Sequence, residues 1–179
     1  MVENTSQLIL IIEDNDDDYF ATLRAFKIAN LSNPIQRCTN GDQALDYLLE
    51  RGDFSAPNSA PRPSIILLDL NLPGADGRSI LHNIKGTPSL LKIPVIVLTT
   101  SNASKDIEEC YAAGANSYVQ KPVDFDGFIQ AISRLSEYWL EVSILPKNYG
   151  RESHSGTSNQ STGLSKDDIQ VSGIARIQT

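Results

Sequence analysis

The sequence predicts an α/β fold, a doubly wound parallel sheet of five strands with helices on both faces. Short runs of Ile, Val and Leu alternate with longer amphipathic stretches along the chain, and several of the runs contain no polar residue. Continuous apolar runs are typical of strands that are covered on both faces, and strand–helix alternation is typical of parallel sheets. With 179 residues, 40% of them hydrophobic, the chain is long enough for one such domain.

The strands and helices are predicted from the spacing of apolar residues. We expect strands at residues 8–12, 35–38, 65–68, 95–98 and 117–120. Apolar residues recur at intervals of three and four around residues 20–26, 44–48, 107–113 and 125–140, and a further helix, which contains His82, lies between the third and fourth strands. For five strand–helix repeats we expect the order 2-1-3-4-5, with ligands bound outside the carboxyl ends of the strands.

Two polar stretches interrupt this pattern. The stretch "RGDFSAPNSAPRP", residues 51–63, is longer than most connections between a helix and a strand, so we interpret it as an insertion. The chain from Gly150 onward contains no aromatic residue and is dense in Ser, Thr, Gly and Gln. Such a composition buries too little apolar surface to offset the entropy of ordering. We therefore expect a domain at residues 6–146 and a polar, disordered tail at residues 147–179.

Composition excludes several classes of function. The formal charge of −7 argues against nucleic-acid binding, which depends on Lys and Arg neutralising phosphates. No apolar run approaches the roughly 20 residues that span a bilayer, and no basic segment followed by a long apolar one comes after Met1. We expect a cytoplasmic protein that binds no membrane. Cys38 and Cys110 are far apart and lack metal-ligand spacing, which predicts reduced structural thiols.

Chemically useful side chains follow four of the predicted strands. Glu13 and Asp14 come after the first strand, Asp69 after the third, Thr99 after the fourth and Lys121 after the fifth. In the order 2-1-3-4-5 these four strands are neighbours. The side chains are therefore predicted to meet in one crevice at the carboxyl edge of the sheet.

The charges in this crevice predict its chemistry. Three carboxylates held together repel one another unless a cation neutralises them, and Mg²⁺ is a hard cation that takes a few protein oxygens and keeps positions for a phosphoryl group. Lys121 and Thr99 are able to hold phosphoryl oxygens, and an aspartate is able to act as the nucleophile that forms an acyl phosphate. These are the parts of a phosphoryl-transfer site.

Four stretches that carry these residues resemble a known family. "LILIIEDND", "IILLDLNLPGADG", "IPVIVLTTS" and "AGANSYVQKP" resemble, in order, the motifs of the response-regulator receiver domain of two-component signalling. The resemblance covers residues 8–140 and implies a flavodoxin-like, CheY-like fold. It also implies that Asp69 accepts a phosphoryl group from a histidine kinase, and that Glu13, Asp14, Asp69 and the backbone carbonyl of Asn71 hold Mg²⁺.

The same resemblance implies roles for three further residues. Thr99 and Lys121 would contact the phosphoryl oxygens, and Tyr118 would be an aromatic switch that turns inward when Thr99 moves. A receiver of this kind assists its own phosphorylation and dephosphorylation but is not a free-standing enzyme. Glu13 stands where Asp is usual, which preserves the charge on a longer arm, and Val123 stands where Phe is common.

A narrower resemblance is carried by the insertion, by "LLDLNLPGADGR" and by "SEYWLEVSILP". These features are similar to the cyanobacterial phytochrome response regulators, which are small receivers without an output domain. The similarity implies a phytochrome-type histidine kinase as donor and a downstream protein target reached by direct contact. Tyr138 and Trp139 either belong to the core or cover a homodimer contact, and the sequence leaves both readings open.

The same residues are open to three other interpretations. Asp16, Asp17 and Asp18 fit the cap and first turn of a helix better than a metal site, because an EF-hand loop starting at Asp14 would need a glycine at position 19 and a glutamate at position 25. A haloacid-dehalogenase-type phosphohydrolase is disfavoured, since Asn71 stands where a second acid is expected. The remaining alternative is a protein-binding module that works without phosphorylation.

Overall fold

The computed structural model describes residues 7–74 and 76–146. In this part of the chain five parallel strands form one sheet in the order β2-β1-β3-β4-β5, which confirms the predicted topology. The strands are β1 (Ile9–Ile12), β2 (Ile35–Cys38), β3 (Ile65–Leu68), β4 (Val95–Thr99) and β5 (Ser117–Gln120). The α-helices are α1 (Asp16–Ile28), α2 (Gly41–Leu49), α3 (Gly77–Gly86), α4 (Ser104–Ala112) and α5 (Phe125–Ser136), and a π-helical turn (Glu137–Val142) follows α5. Against the sequence prediction, β1 begins one residue later and β4 ends one residue later.

The two faces of the sheet carry separate apolar cores. Successive side chains of a strand point to opposite faces. On one face the strand residues pack with α2, α3 and α4 through Leu10, Ile12, Ile66, Leu68, Val95 and Val97. On the other face they pack with α1 and α5 through Ile9, Ile11, Ile65, Leu67, Ile96 and Leu98. Both faces are covered, which explains why β1 and β3 are apolar throughout and why β4 is apolar up to its last residue, Thr99.

The backbone hydrogen bonds of the sheet continue one residue past the strands. The Glu13 N–H donates to the last carbonyl of β2, at 3.0 Å, and the Asp69 N–H donates to the carbonyl of Ile12, also at 3.0 Å. The Lys121 N–H donates to the carbonyl of Thr99 at 2.7 Å. These bonds fix Glu13, Asp69 and Lys121 at the carboxyl edge of the sheet.

The start of α1 is capped by a side chain. The Asn15 carboxamide oxygen accepts a hydrogen bond from the Asp18 N–H at 3.1 Å, and the three aspartates that follow Asn15 form the first turn. Negative charge is favoured at a helix N-terminus because the first N–H groups have no partner within the helix. The predicted placement of these aspartates is confirmed, with Asn15 as the capping residue.

Gly77 allows α3 to approach the chain that leaves β3. Its N–H donates to the carbonyl of Leu70 at 3.1 Å. A Cβ atom at this position would lie 2.5 Å from the carbonyl oxygen of Asp69, which is closer than real Cβ contacts. Any residue other than glycine would therefore displace the backbone that carries Asp69.

The insertion at residues 51–63 is attached to the core by Tyr47. The Tyr47 hydroxyl donates to the carbonyl of Pro61 at 2.7 Å, and its ring meets the Phe54 ring edge-on, with centroids 5.2 Å apart. Phe54 ends a short 3₁₀ turn, Gly52–Phe54. The polar stretch thus has an ordered start, although its composition is that of a loop.

The ends of the predicted domain are described only in part. Trp139 is partly buried against the α1–α5 core, whereas Tyr138 is 56% exposed. The predicted disordered tail, residues 147–179, and the first residue of the predicted domain lie outside the described residues.

Cys38 and Cys110 are buried free thiols, as predicted, and burial raises the pKa of Cys38 to about 12. The helices of the described chain are all too short or too polar to cross a membrane.

Candidate functional site

A buried ammonium group holds three carboxylates at the carboxyl edge of the sheet. The Lys121 Nζ donates to Glu13 Oε2 at 2.6 Å, to Asp18 Oδ2 at 2.7 Å and to Asp69 Oδ2 at 2.8 Å. Glu13, Asp69 and Lys121 are each at most 6% exposed, and Asp18 is half-buried. The structure therefore brings Glu13, Asp69 and Lys121 together as the sequence predicts. We call these three residues and Asp18 the charged cluster.

Burial and pairing set the protonation of the charged cluster. Burial by itself lowers the pKa of Lys121, but the hydrogen bonds to Asp18, Asp69 and Glu13 outweigh it and raise that pKa above its usual range. Burial raises the pKa of Glu13, and the neighbouring Lys121 opposes this only in part. The ammonium is therefore charged at neutral pH. A single positive charge leaves three acidic groups incompletely neutralised.

The donor set of the charged cluster fits a hard divalent cation. One oxygen each from Glu13, Asp18 and Asp69 lies within 4.8 Å of the others. Carboxylate oxygens at this separation are the ligands that Mg²⁺ and Ca²⁺ take in proteins. The residues present therefore fit a divalent metal ion, with the Lys121 ammonium lying among the same oxygens.

Asp18 has a contact with the charged cluster in addition to the place at the helix start that the sequence predicts for it. It does lie in the first turn of α1, yet its carboxylate faces Lys121 rather than solvent. The reason is helical periodicity: Asp18 lies one turn before Thr22, which begins the buried stripe of α1 and donates from its hydroxyl to the Asp18 carbonyl at 2.9 Å. The structure alone reveals this stripe, because the apolar spacing in the sequence begins at Phe20, which is 61% exposed.

Two of the predicted metal ligands lie beside the charged cluster rather than in it. Among the residues that the structure describes, Asp14 does not belong to the group of converging carboxylates, and it is exposed. The Asn71 N–H donates to Asp69 Oδ1 at 3.1 Å, so the chain after β3 turns back over the carboxylate. Metal binding by Asp14 and by the Asn71 carbonyl remains a prediction.

Hydroxyl and amide groups line the other half of the crevice. The Asn71 side-chain amide donates to Thr99 Oγ1 at 3.3 Å and to Thr100 Oγ1 at 3.2 Å, and Thr99 is completely buried. The Tyr118 hydroxyl donates to the carbonyl of Ser101 at 2.9 Å, and burial raises the pKa of Tyr118. We call these five residues the hydroxyl side of the site. Tyr118 therefore connects β5 to the loop after β4, and its role as a switch remains a prediction.

A further set of polar contacts ties this loop to α3 and α4. The Ser101 hydroxyl donates to Asp106 Oδ2 at 2.5 Å, and the Arg78 guanidinium pairs with Asp106 and with Asp76. Sequence reasoning missed this network. Arg78 is 28 residues from Asp106, and no spacing along the chain reveals that two helices bring them together.

Comparison with known proteins agrees with this geometry. Residues 9–133 match the response regulator receiver domain family. The chain belongs to that family. It is 34% identical to the response regulator Rcp1 of Synechocystis sp. (strain ATCC 27184 / PCC 6803 / Kazusa) over 143 residues, which cover 80% of this chain and 95% of Rcp1. The predicted membership and fold are both confirmed.

Solved structures of related receivers superpose over the same part of the chain. The phosphorylated cyanobacterial phytochrome response regulator RcpA matches with a TM-score of 0.75 and 34% identity, over 80% of this chain and 100% of RcpA. The Mn²⁺-bound form of Rcp1 matches with a TM-score of 0.74 and 33% identity, over 79% of this chain and 99% of Rcp1. Both relatives are response regulators, one crystallised with phosphate attached and the other with a divalent metal.

Proposed function

We propose that this chain is a phosphorylation-dependent switch in which Asp69 accepts a phosphoryl group from a histidine kinase with the help of Mg²⁺. The observation that carries the proposal is the Lys121 ammonium, held 2.8 Å from the Asp69 carboxylate among acidic side chains. A phosphoacceptor must bring its nucleophile and a fixed positive charge together, since phosphoryl transfer is catalysed mainly by positioning and charge neutralisation. The similarity to phosphorylated RcpA supports the same assignment.

The chemistry is a displacement at phosphorus. An Asp69 carboxylate oxygen attacks, the P–N bond of the phosphohistidine breaks, the histidine ring leaves and takes up a proton, and an acyl phosphate forms. Lys121 and Thr99 hold the phosphoryl oxygens. Bound Mg²⁺ supplies further positive charge, with Glu13, Asp14, Asp69 and the Asn71 carbonyl as its proposed ligands. Asp18 is a candidate in addition, because its carboxylate lies in the charged cluster.

The chain assists its own phosphorylation and dephosphorylation in this proposal and does not act as a free-standing enzyme. The new charge on Asp69 biases Thr99 and Tyr118, and a downstream protein reads the altered surface by contact. A homodimer through the segment after α5 is a second element of the proposal, supported by the exposed apolar side chains Tyr138, Val142 and Ile144. We place the protein in the cytoplasm, where its donor kinase presents the phosphohistidine.

The donor is proposed to be a phytochrome-type histidine kinase. Similarity to Rcp1 and to the phytochrome response regulator RcpA supports this choice. Phe20 on α1 and Val123 in the loop after β5 are exposed apolar side chains, and each is a candidate contact for the donor. Exposed apolar side chains such as these two fit a partner helix that has an apolar face.

The experiment is phosphorylation with acetyl phosphate and Mg²⁺, read by intact-protein mass spectrometry. The wild-type chain should gain one phosphoryl group, Asp69→Asn should gain none, and the exposed control Asp53→Asn should behave as wild type. Wild-type protein that stays unmodified, or phosphorylation that survives Asp69→Asn, would refute the proposal.

The donor is tested by phosphotransfer from purified histidine kinases in red and far-red light. Transfer from a phytochrome-type kinase should be fast and should depend on the light, whereas transfer from an unrelated kinase should be slow. Equal transfer from both kinases would contradict the phytochrome partnership and leave the phosphoacceptor assignment intact. If Asp69→Ala left the binding of a downstream partner unchanged under phosphorylating conditions, the phosphorylation-independent alternative would be favoured.

A further inference from the structure

Arg37 lies on β2 next to the acidic loop that joins β1 to α1. It pairs with Ile11 of the neighbouring strand, and the next residue, Cys38, points into the α2–α4 core. Because side chains alternate along a strand, Arg37 points to the opposite face, where α1 begins. Its guanidinium lies over the ring of Tyr19 with 4.4 Å between the guanidinium carbon and the ring centroid. Its side chain is only 18% exposed, although no role was assigned to it from the sequence.

The guanidinium donates two hydrogen bonds to this loop and a third to Asp16, the first residue of α1. Arg37 Nε donates to the carbonyl of Glu13 at 2.9 Å, and Nη2 donates to the carbonyl of Asp14 at 2.9 Å. Nη1 donates to Asp16 Oδ1 at 2.6 Å. Both carbonyls belong to the loop that supplies Glu13 to the charged cluster, and the carboxylate belongs to the first residue of α1. Arg37 therefore contacts the backbone of both acidic residues that follow β1.

The shape of the guanidinium is what makes this arrangement possible. Its five N–H donors lie in one plane at fixed angles, so a single side chain is able to hold two consecutive carbonyls and a carboxylate. A lysine at the same position would carry the same charge but would present a point donor on a flexible stem. Stacking on Tyr19 fixes the plane of the group further.

We propose that Arg37 is a positioning residue for the divalent metal ion, because it fixes the backbone of Glu13 and Asp14 so that their carboxylates reach the ion beside Asp69. The inference rests on the proposed function, in which that ion assists phosphorylation. Side chains that orient ligands without touching the metal commonly contribute about tenfold or more to metal affinity.

Charge alone predicts the opposite effect, which makes the inference testable. Arg37 is a cation beside an acidic site, so its removal should strengthen the binding of another cation if electrostatic repulsion were its whole effect. Positioning predicts weaker binding instead. Arg37→Gln removes both the charge and the planar set of N–H donors, whereas Arg37→Lys removes the planar set of donors and keeps the charge.

The experiment measures Mn²⁺ affinity from the electron paramagnetic resonance signal of unbound Mn²⁺. The proteins are wild type, Arg37→Gln, Arg37→Lys and the control Arg51→Gln, which removes an exposed arginine from the connection after α2. Both Arg37 variants should bind Mn²⁺ about tenfold more weakly than wild type, and Arg51→Gln should match wild type. In acetyl phosphate reactions, the Mg²⁺ concentration for half-maximal rate should rise while the maximal rate stays close to that of wild type.

Each alternative result overturns the inference. Tighter Mn²⁺ binding by Arg37→Gln, or wild-type affinity in Arg37→Lys, means that Arg37 contributes charge alone. Unchanged Mn²⁺ binding by Arg37→Gln means that Arg37 does not position the ligands of the ion. Failure of the wild-type chain to bind Mn²⁺ overturns the inference together with the metal-dependent function, which separates that case from failure of Arg37 alone. Circular dichroism melts of the variants confirm that they are folded, and Arg37→Lys, the smaller change, carries the test if Arg37→Gln is unfolded.

Discussion

The two halves of the site are held by different kinds of interaction. In the charged cluster, Lys121 contacts three carboxylates at 2.6 to 2.8 Å, and the participants other than Asp18 are buried. On the hydroxyl side, the side-chain contacts of Asn71, Thr99 and Tyr118 are hydrogen bonds between neutral groups, at 2.9 to 3.4 Å. One half fixes charges in place, and the other half is joined by weaker bonds that exchange partners readily.

A switch requires one part that keeps its geometry and another that is able to rearrange, and the two halves of the site differ in this way. Separating a buried ion pair leaves an uncompensated charge and costs several kcal/mol, whereas a neutral hydrogen bond contributes about 1 kcal/mol net. The charged cluster should therefore keep its geometry while phosphate and metal enter. The hydroxyl side, which connects to α3 and α4 through Ser101 and Asp106, is the half that is able to rearrange.

The largest expected effect comes from removing the buried ammonium. Lys121→Met should lower the free energy of unfolding by about 3 kcal/mol in metal-free buffer, because it leaves Glu13, Asp18 and Asp69 facing one another without a cation. Saturating Mg²⁺ should restore part of that stability, since the ion replaces the missing charge. Urea unfolding with and without Mg²⁺ measures both effects.

The matched control is Lys85→Met. The Lys85 ammonium donates to the carbonyl of Ile93 at 2.8 Å and to Asn116 Oδ1 at 2.9 Å, which are neutral partners, and burial lowers the pKa of Lys85. Its loss should lower stability by about 1 kcal/mol, and Mg²⁺ should not restore it. Equal rescue of both variants by Mg²⁺ would contradict the contrast between the two lysines.

An intermediate effect is expected from Asp18→Asn. Removing one of the three converging carboxylates should weaken Mg²⁺ binding by about fivefold, since roughly 1 kcal/mol of attraction is lost at a partly solvated position. Asp17→Asn is the control, because Asp17 carries the same charge in the same helical turn but is exposed. Isothermal titration calorimetry compares the two. Similar losses in both variants would show that Asp18 acts through general charge and not through the charged cluster.

The smallest effect is expected on the hydroxyl side. Tyr118→Phe removes the hydrogen bond to the Ser101 carbonyl and should lower the free energy of unfolding by about 0.5 to 1 kcal/mol, with Mg²⁺ affinity unchanged. Tyr138→Phe is the control, since the Tyr138 ring is 56% exposed and lies in the turn after α5, away from the Ser101 carbonyl. Chemical denaturation and Mg²⁺ titration test this pair. A loss of Mg²⁺ affinity in Tyr118→Phe would mean that the two halves are not separable.

Local patterns were sufficient to predict the fold and the strand-end residues. The apolar runs give the strands, and the carboxyl ends of parallel strands meet at one edge, so Glu13, Asp69 and Lys121 were predictable as neighbours. The resemblance to receiver domains added their proposed roles. For Asp18 the sequence favours the helix start over a metal site, because a charge in a first helical turn is normally solvated and the buried stripe of α1 is known only from the structure.

Other features depend on contacts that no local pattern contains. Arg37 reaches the carbonyls of Glu13 and Asp14 because β2 pairs with β1, and the partners are 24 and 23 residues apart in the chain. Every residue has a backbone carbonyl, so the sequence does not show which carbonyls Arg37 contacts until the register of β2 against β1 is known. The link from Arg78 to Asp106 has the same origin in the packing of α3 beside α4.

The sequence by itself determined the sheet, its order and the residues at its carboxyl edge, because hydrophobic periodicity and strand ends are local properties of the chain. Tertiary structure decided which carboxylates share the Lys121 ammonium and which side chain fixes the acidic loop. Both depend on the direction of side chains and the distance between them, because charges interact through space. Lys121 is 108 positions from Glu13 and 103 from Asp18 in the chain, so only the fold brings these groups into contact.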